Sequence, residues 1–265
     1  MRKIVLIIIV FSLNINLFSQ TNMIIRKIDN STISIPILDI DSIYYETISE
    51  FTCGDQITDI DGNTYNTVEI GSQCWMAENL AVTKYPNGDP ITNLTDNTEW
   101  GDLEDNNNTD YYCYFNNNAN NEGETFGALY TYAAAIAHNW EKDNVDNQGI
   151  CPDGWHLPSD AEWEAIINHL GGSDIAGGKM KEAGTVHWDS PNTGADNSSG
   201  FTALPAGYRS GNVGVFGNWK AGTCWWSSTP FDDIAGAVYI LYNIANAENE
   251  PDAKSCGFSV RCVKN

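Results

Sequence analysis

Cys53, Cys74, Cys113, Cys151, Cys224, Cys256 and Cys262 are spread along everything that follows residue 52, and no cysteine precedes it. Such a chain gains a covalent framework only in an oxidising compartment. Its start points to one. Arg2 and Lys3 precede the apolar run Ile4 to Phe11, Leu13 to Phe18 continue it, and Ser19 offers a small residue for cleavage. Residues 1–20 therefore read as a signal peptide. The uninterrupted apolar run is too short for a spanning helix, so no membrane span is expected once it is removed. The cysteine count of seven is odd, so at least one thiol stays free or pairs between chains. No Cys-x-x-Cys spacing occurs and the four histidines are scattered, which argues against a zinc site.

The net charge of −22 argues against nucleic acid and anionic lipid as partners. It leaves calcium as the one cofactor the reading admits. The string Asp59 to Asn63 (DIDGN) resembles a calcium loop, but an EF-hand would need Gly at Thr64 and a closing Glu, and neither is there. Asp61-Gly62 between Ile57–Ile60 and Thr64–Ile70 is better read as a hairpin turn.

Residues 21–52 lack glycine and cysteine. The run Ile33 to Ile43 alternates imperfectly around Pro36, after Met23–Ile28 and Asp29-Asn30, so this stretch is expected to be a β-hairpin or an extended leader. The main domain is expected over 53–265. Residues 93–124, rich in Asn, Asp and Glu, read as a long surface loop. Leu129, Tyr132, Ala133 and Ile136 fall on one helical face. Ser159 with Glu162 forms a capping box for a second helix, with Trp163, Ile166, Ile167 and Leu170 as its stripe and Gly171-Gly172 as its stop. Strands are expected at Phe201–Leu204, Thr223–Ser228, Ala237–Tyr242 and Cys256–Val263, the last with Phe258 and Val260 on one face and Ser259 and Arg261 on the other. Two helices with short antiparallel strands and long irregular loops make the fold class α+β.

The strings GSQCWMAENL (71–80), FGALYTYAAA (126–135), CPDGWHLPSDAEWEAI (151–166), GFTALPAGYR (200–209), WWSST (225–229) and GFSVRCVKN (257–265) occur in this order. Together they resemble the Fibrobacter succinogenes major paralogous domain over roughly residues 53–265, a family of exported proteins of Bacteroidetes and related bacteria. More distantly, HLPSDAEW after Cys151 and the closing GFSVRC resemble the C-type-lectin and formylglycine-generating-enzyme superfold. That resemblance implies a C-type-lectin-like fold and a disulfide between Cys151 and Cys262. Cys256 and Cys262, six residues apart in one extended strand and thus roughly 20 Å apart, cannot pair with each other, since a disulfide needs Cα atoms within about 7 Å. Cys224, in another strand, is then a reasonable partner for Cys256.

The resemblance implies no activity. Glu250-Pro251-Asp252 is the nearest string to a sugar-binding triplet and lacks the Trp-Asn-Asp that should follow. No catalytic motif is present, Glu162 reads as a cap, and His156 and His187 lack evident acid partners. The candidate ligand site is Arg209, Trp219, Trp225 and Trp226, because indoles stack on sugar rings and one member of the pair 225/226 should face solvent. The expected protein is a secreted or cell-surface, non-catalytic module for a glycan or an extracellular protein. The competing reading is an extracellular hydrolase or oxidase with an unrecognised motif.

Overall fold

The computed structural model describes residues 22–26, 32–36, 51–104, 108–137 and 148–265. The expected signal peptide, residues 1–20, and Asp29-Asn30 lie outside them. Two units result, residues 1–50 and 51–265. In the first, β1 (Asn22–Arg26) and β2 (Thr32–Pro36) pair antiparallel, Asn22 opposite Pro36 and Arg26 opposite Thr32.

The second unit is a mosaic of short sheets. Its strands are β3 (Ile57–Thr58), β4 (Thr64–Tyr65), β5 (Thr67–Ile70), β6 (Gln73–Met76), β7 (Thr92–Asn93), β8 (Tyr111–Cys113), β9 (Leu129–Tyr130), β10 (Trp155–His156), β11 (Tyr208–Arg209), β12 (Phe216–Gly217), β13 (Gly222–Pro230), β14 (Ile234–Leu241), β15 (Ala247–Ala253) and β16 (Val263–Lys264). They form sheets ordered β10-β16-β6-β5, β13-β14-β15 and β7-β8-β9, with β3-β4 and β11-β12 as separate pairs. Only the β7–β8 pairing is parallel among these ladders. The helices are α1 (Asn97–Gly101), α2 (Glu124–Phe126), α3 (Tyr132–Ala135), α4 (Asp160–His169) and α5 (Ser173–Met180). The class is α+β, as the sequence suggested.

The β3–β4 hairpin turns on Asp59. Its carboxylate accepts from Asp61 N, Asn63 N, Asn63 Nδ2 and Tyr65 Oη at 2.7–2.9 Å, which closes the turn on itself. Among the described residues no group of three or more His, Cys, Asp or Glu side chains could hold a metal ion.

Helix α4 begins as its sequence dictates. Ser159 accepts from Glu162 N while the Glu162 carboxylate accepts from Ser159 N at 2.8 Å. Trp163, Ile166 and Ile167 are its buried stripe. The other expected helix is shorter than expected: Leu129 and Tyr130 belong to β9, and Tyr132–Ala135, capped by Thr131 and ending at Ile136, form α3. All four positions of α3 are buried, so apolar content there reports burial rather than a long amphipathic face. Helix α5 (SDIAGGKM) carries no such sequence signal, since glycine disfavours helix. Packing requires the glycines: a Cβ at Gly177 would collide with the Asn246 carbonyl, and one at Gly178 would sit 2.5 Å from Gly194 O.

Residues 93–124 are not a bare surface loop. Leu94, Trp100, Cys113 and Phe115 bury together with Leu129 as a small core. Phe201–Leu204 contributes a single bridge, Ala203 with Lys181, rather than a strand. The exposed strand β15 was missed because Glu, Pro and Asp are poor strand formers.

The C-terminal segment threads the unit's interior. Phe258 exchanges two backbone hydrogen bonds with Tyr130, and Gly257 does the same with Arg209. Ser259 N donates to Cys224 O at 3.0 Å, Leu80 N to Val260 O at 2.9 Å and Met76 N to Cys262 O at 3.0 Å. The expected strand Cys256–Val263 is instead a run of isolated bridges leading to Val263 of β16, and Phe258, Ser259, Val260 and Arg261 are all buried, so it has no solvent face.

Two disulfides hold this arrangement: Cys151–Cys262, with Cα atoms 5.9 Å apart, and Cys53–Cys74 at 5.8 Å. The expected Cys224–Cys256 bond is absent; both residues are buried thiols, as is Cys113. Cys256 instead points its sulfur at the Asp252 carboxylate, 3.6 Å away, and the same carboxylate accepts from Tyr239 Oη at 2.6 Å.

The first expected outcome is chemical. Non-reducing peptide mapping will pair Cys151 with Cys262 and Cys53 with Cys74, and the other three thiols will alkylate only on unfolding. Cys151→Ala with Cys262→Ala should cost about 4–5 kcal/mol on the chain-entropy argument.

The second is acid sensitivity. Burial opposes ionisation of Glu162, but hydrogen bonds from His156 and Ser159 outweigh it and hold the carboxyl at about 2. A depressed carboxyl contributes stability above its unfolded value, near 4.5, that is lost as pH falls towards 2. Melting temperature against pH should fall less steeply across that window in Glu162→Gln than in the parent, from a lower plateau at neutral pH.

Candidate binding face

Three of the four candidate residues are interior. Trp225 and Trp226 do point to opposite sides of β13, yet both are fully buried, because each side of that strand is covered. Trp225 lies with Trp163 (5.8 Å between ring centroids) and Phe201 (5.6 Å), and its Nε1 donates to Asn79 Oδ1 at 2.8 Å. Trp226 lies 4.4 Å from Phe258 and donates to Tyr130 O at 2.7 Å. The expectation that one of them faces solvent is therefore corrected: period-2 alternation separates their directions but does not say which side is wet.

Arg209 is also fully buried. Its Nε donates to Gly214 O at 2.9 Å and its Nη1 to Leu94 O at 2.6 Å. Its Nη2 reaches Thr95 O, Asp96 O and Asn97 Oδ1 within 3.2 Å. The guanidinium plane lies between the Trp100 ring, 4.3 Å away, and the Phe216 ring, 4.9 Å away. The cation is spent on loop carbonyls and offers a ligand nothing.

Trp219 alone reaches the surface, half-buried. It stacks on Phe115 at 4.5 Å and 20° and meets Phe126 edge to face at 4.7 Å. Phe115 in turn lies 5.1 Å from Phe216, and Phe126 lies 5.6 Å from His187. A ladder results: Trp100, Arg209, Phe216, Phe115, Trp219, Phe126, His187. Its inner end is dry and its outer end is partly open. Val213 (58% exposed) and Val215 (49%) stand on the loop between Arg209 and Phe216. Gly214 (φ +65) lets that loop close on α1, where a Cβ would strike the Asn97 carbonyl. Val213, Val215 and Phe216 were not among the candidate residues. Their signal was three large apolar side chains in a tract with no core pattern to absorb them.

Both histidines have acid partners after all. His156 pairs with Glu162 Oε1 at 2.7 Å and also meets Asn265, which ties the capping box to the chain end. His187 pairs with Glu182 at 2.8 Å beside Phe126. Asp252, of the string Glu250-Pro251-Asp252, is engaged by Tyr239 on the exposed strand β15.

A disulfide-braced α+β domain whose tryptophans are largely interior is the class these features define. The chain belongs to the Fibrobacter succinogenes major domain family, whose sequence profile matches residues 68–264. The match includes all four candidate residues. No curated protein and no solved structure matches the chain.

Arg209→Met should lower stability by about 3 kcal/mol or more, since it strands several buried carbonyls. Arg209→Lys should recover only part of this, because one ammonium cannot span the fork. Urea unfolding of the purified variants measures both.

Proposed function

We propose that this protein is a non-catalytic binding module working outside the cytoplasm, secreted or at the cell surface, and that its ligand face is the outer end of the aromatic ladder. The observation that carries this reading is the exposure of Val213 and Val215 beside half-buried Phe216 and Trp219 on one loop. Large apolar side chains left in water on a rigid support are a cost unless a partner covers them. With Arg209 committed to the interior, the face lacks the fixed polar fork a sugar would require, and Phe115 already occupies one face of the Trp219 indole. Both points favour an extracellular protein over a glycan.

Two disulfides, and the absence among the described residues of a helix long and apolar enough to cross a membrane, are consistent with that location. We also read the architecture as C-type-lectin-like. The support is the disulfide that joins the entry of α4 to the last strand, with long irregular segments elsewhere. On that reading the 211–220 loop belongs to the irregular part that carries ligands.

The test is a glycan array and a capture experiment against surface proteins of the same cell, with the mature chain and with Val213→Asp and Val215→Asp. These side chains project outward, so each variant should keep its stability within about 0.5 kcal/mol. Binding should be lost in both variants and should be indifferent to a calcium chelator. A ligand held equally well by both aspartate variants would place the site elsewhere.

A further inference from the structure

A cleft of about 430 Å³ lies between the β3–β4 hairpin and the segment 119–127, and it shares no residue with the ladder. Nearly inaccessible Tyr65 and Asn79 form its floor. The hairpin contributes Asn63 and Thr64 to the walls, and the facing segment contributes Glu124 and Thr125. No lining side chain is aliphatic beyond alanine: each larger one ends in a hydroxyl, a carboxamide or a carboxylate. Such a lining gives an apolar ligand little to bury against. It also holds no Lys, Arg or His, and Glu78 and Glu124 lie in no ion pair among the described residues, so it repels an anion.

The polar groups divide into a floor that is satisfied and a rim that is not. Tyr65 Oη donates to Asp59 and accepts from Ala81 N. Asn79 Nδ2 donates to Phe126 O, and its Oδ1 accepts from Trp225 Nε1 and Arg261 Nε. On the rim, Asn66 N and Nδ2 donate to the two oxygens of Glu78 at 2.7 and 2.6 Å, which aims the carboxylate and leaves each oxygen room for a further donor. Asn63 Nδ2 donates to Asp59 at 2.8 Å, which fixes that carboxamide and leaves its oxygen unengaged among the described residues. The hydroxyls of exposed Thr64 and Thr125 likewise engage no described group.

Acceptors held in place beside hydroxyls that both donate and accept are the complement of adjacent alcohol groups, which do the same. A carboxylate strengthens each bond it accepts from such a group. Half-buried Tyr114 adds an aromatic ring. A cation would need the glutamates alone, but buried Arg261 lies near enough to Glu78 to be favoured by it and donates to Asn79 of the floor, so part of the negative field is already met from beneath. The fixed acceptors avoid part of the ordering cost of binding.

We propose that this cleft binds a neutral hexopyranose, free or at the end of a glycan, through hydroxyl hydrogen bonds to Glu78, Asn63, Thr64 and Thr125. The probes are glucose, galactose and mannose, with glucuronate as the anionic ring and spermidine as a cation without a ring. Saturation-transfer NMR titrations use the mature chain at millimolar ligand. At least one neutral sugar should bind, and glucuronate about tenfold more weakly or not at all. Glu78→Gln should weaken the sugar about tenfold, and Ala119→Trp, from an exposed position, should fill the cleft and abolish binding. Should Glu78→Gln lose its melting transition, Thr125→Val takes its place and should weaken the sugar at an unchanged melting temperature. No binding of any of the three sugars, a sugar signal untouched by Ala119→Trp, glucuronate bound as well as the neutral rings, or displacement of the sugar by spermidine overturns the proposal. Val215→Asp should leave the sugar bound as before; a sugar lost with that variant would belong to the ladder face instead, so the two sites fail separately.

Discussion

Three cations have no access to water, Arg209, Lys181 and Arg261, and each is solvated by backbone carbonyls of irregular segments. Lys181 Nζ donates to Thr193 O, Leu241 O and Ile244 O at 2.8–3.0 Å. Arg261 donates to Phe201 O and to Asn79 Oδ1, with its guanidinium 4.0 Å from the Phe201 ring centroid. Among the described residues the ion pairs are Lys84–Asp61, His156–Glu162 and His187–Glu182, so none of the three interior cations is matched by a carboxylate. The reason lies in the fold. A unit in which most strands are two to four residues long and long irregular segments lie between them buries many carbonyls that no ladder satisfies, and a buried carbonyl without a donor is costly. One guanidinium supplies several donors at fixed angles, and one ammonium supplies three. Burial pushes Lys181 down to about 8, which still leaves it an ammonium at neutral pH with all three protons directed at carbonyls.

Local signals were legible in the sequence and long-range contacts were not. Helix α4 was legible down to its capping residues, because a capping box and a 3.6-residue stripe are local signals. The hairpin at Asp61-Gly62 was legible for the same reason. Helix α5 was hidden, since Gly177 and Gly178 are set by backbone contacts with Asn246 and Gly194, residues far along the chain. The candidate site failed on a similar point. An arginine near tryptophans in a glycine-rich stretch is the signature of a ligand site, and equally of a cation that staples buried loops between aromatic rings. Only tertiary placement separates the two, and for Arg209, Trp225 and Trp226 it chose the second. Trp219 differs because the loop carrying it lies over Phe115 and leaves the indole half-buried.

Charge is arranged by the same logic. Cations are few and several are interior, so the surface is left strongly acidic. That acidity has a local use on β15, an edge strand, where Glu248, Glu250, Pro251 and Asp252 occupy successive or alternate places. Charged side chains and a residue without an N–H discourage pairing of an exposed edge with another chain.

The cysteines follow from burial and charge together. Disulfide formation proceeds through the thiolate, so a thiol whose ionisation is suppressed exchanges slowly even where oxidants are present. Burial pushes Cys113 up to about 12 despite the nearby guanidinium of Arg209. Burial raises Cys224 further, and the charge of Asp252 adds to it. Asp252 thus bears on both Tyr239, whose hydroxyl donates to it, and Cys224, whose ionisation it opposes. Cys151 and Cys262 join the segment leading into α4 to residues 257–262, which connect most of the small sheets. The odd cysteine count thus resolves into two disulfides and three buried free thiols.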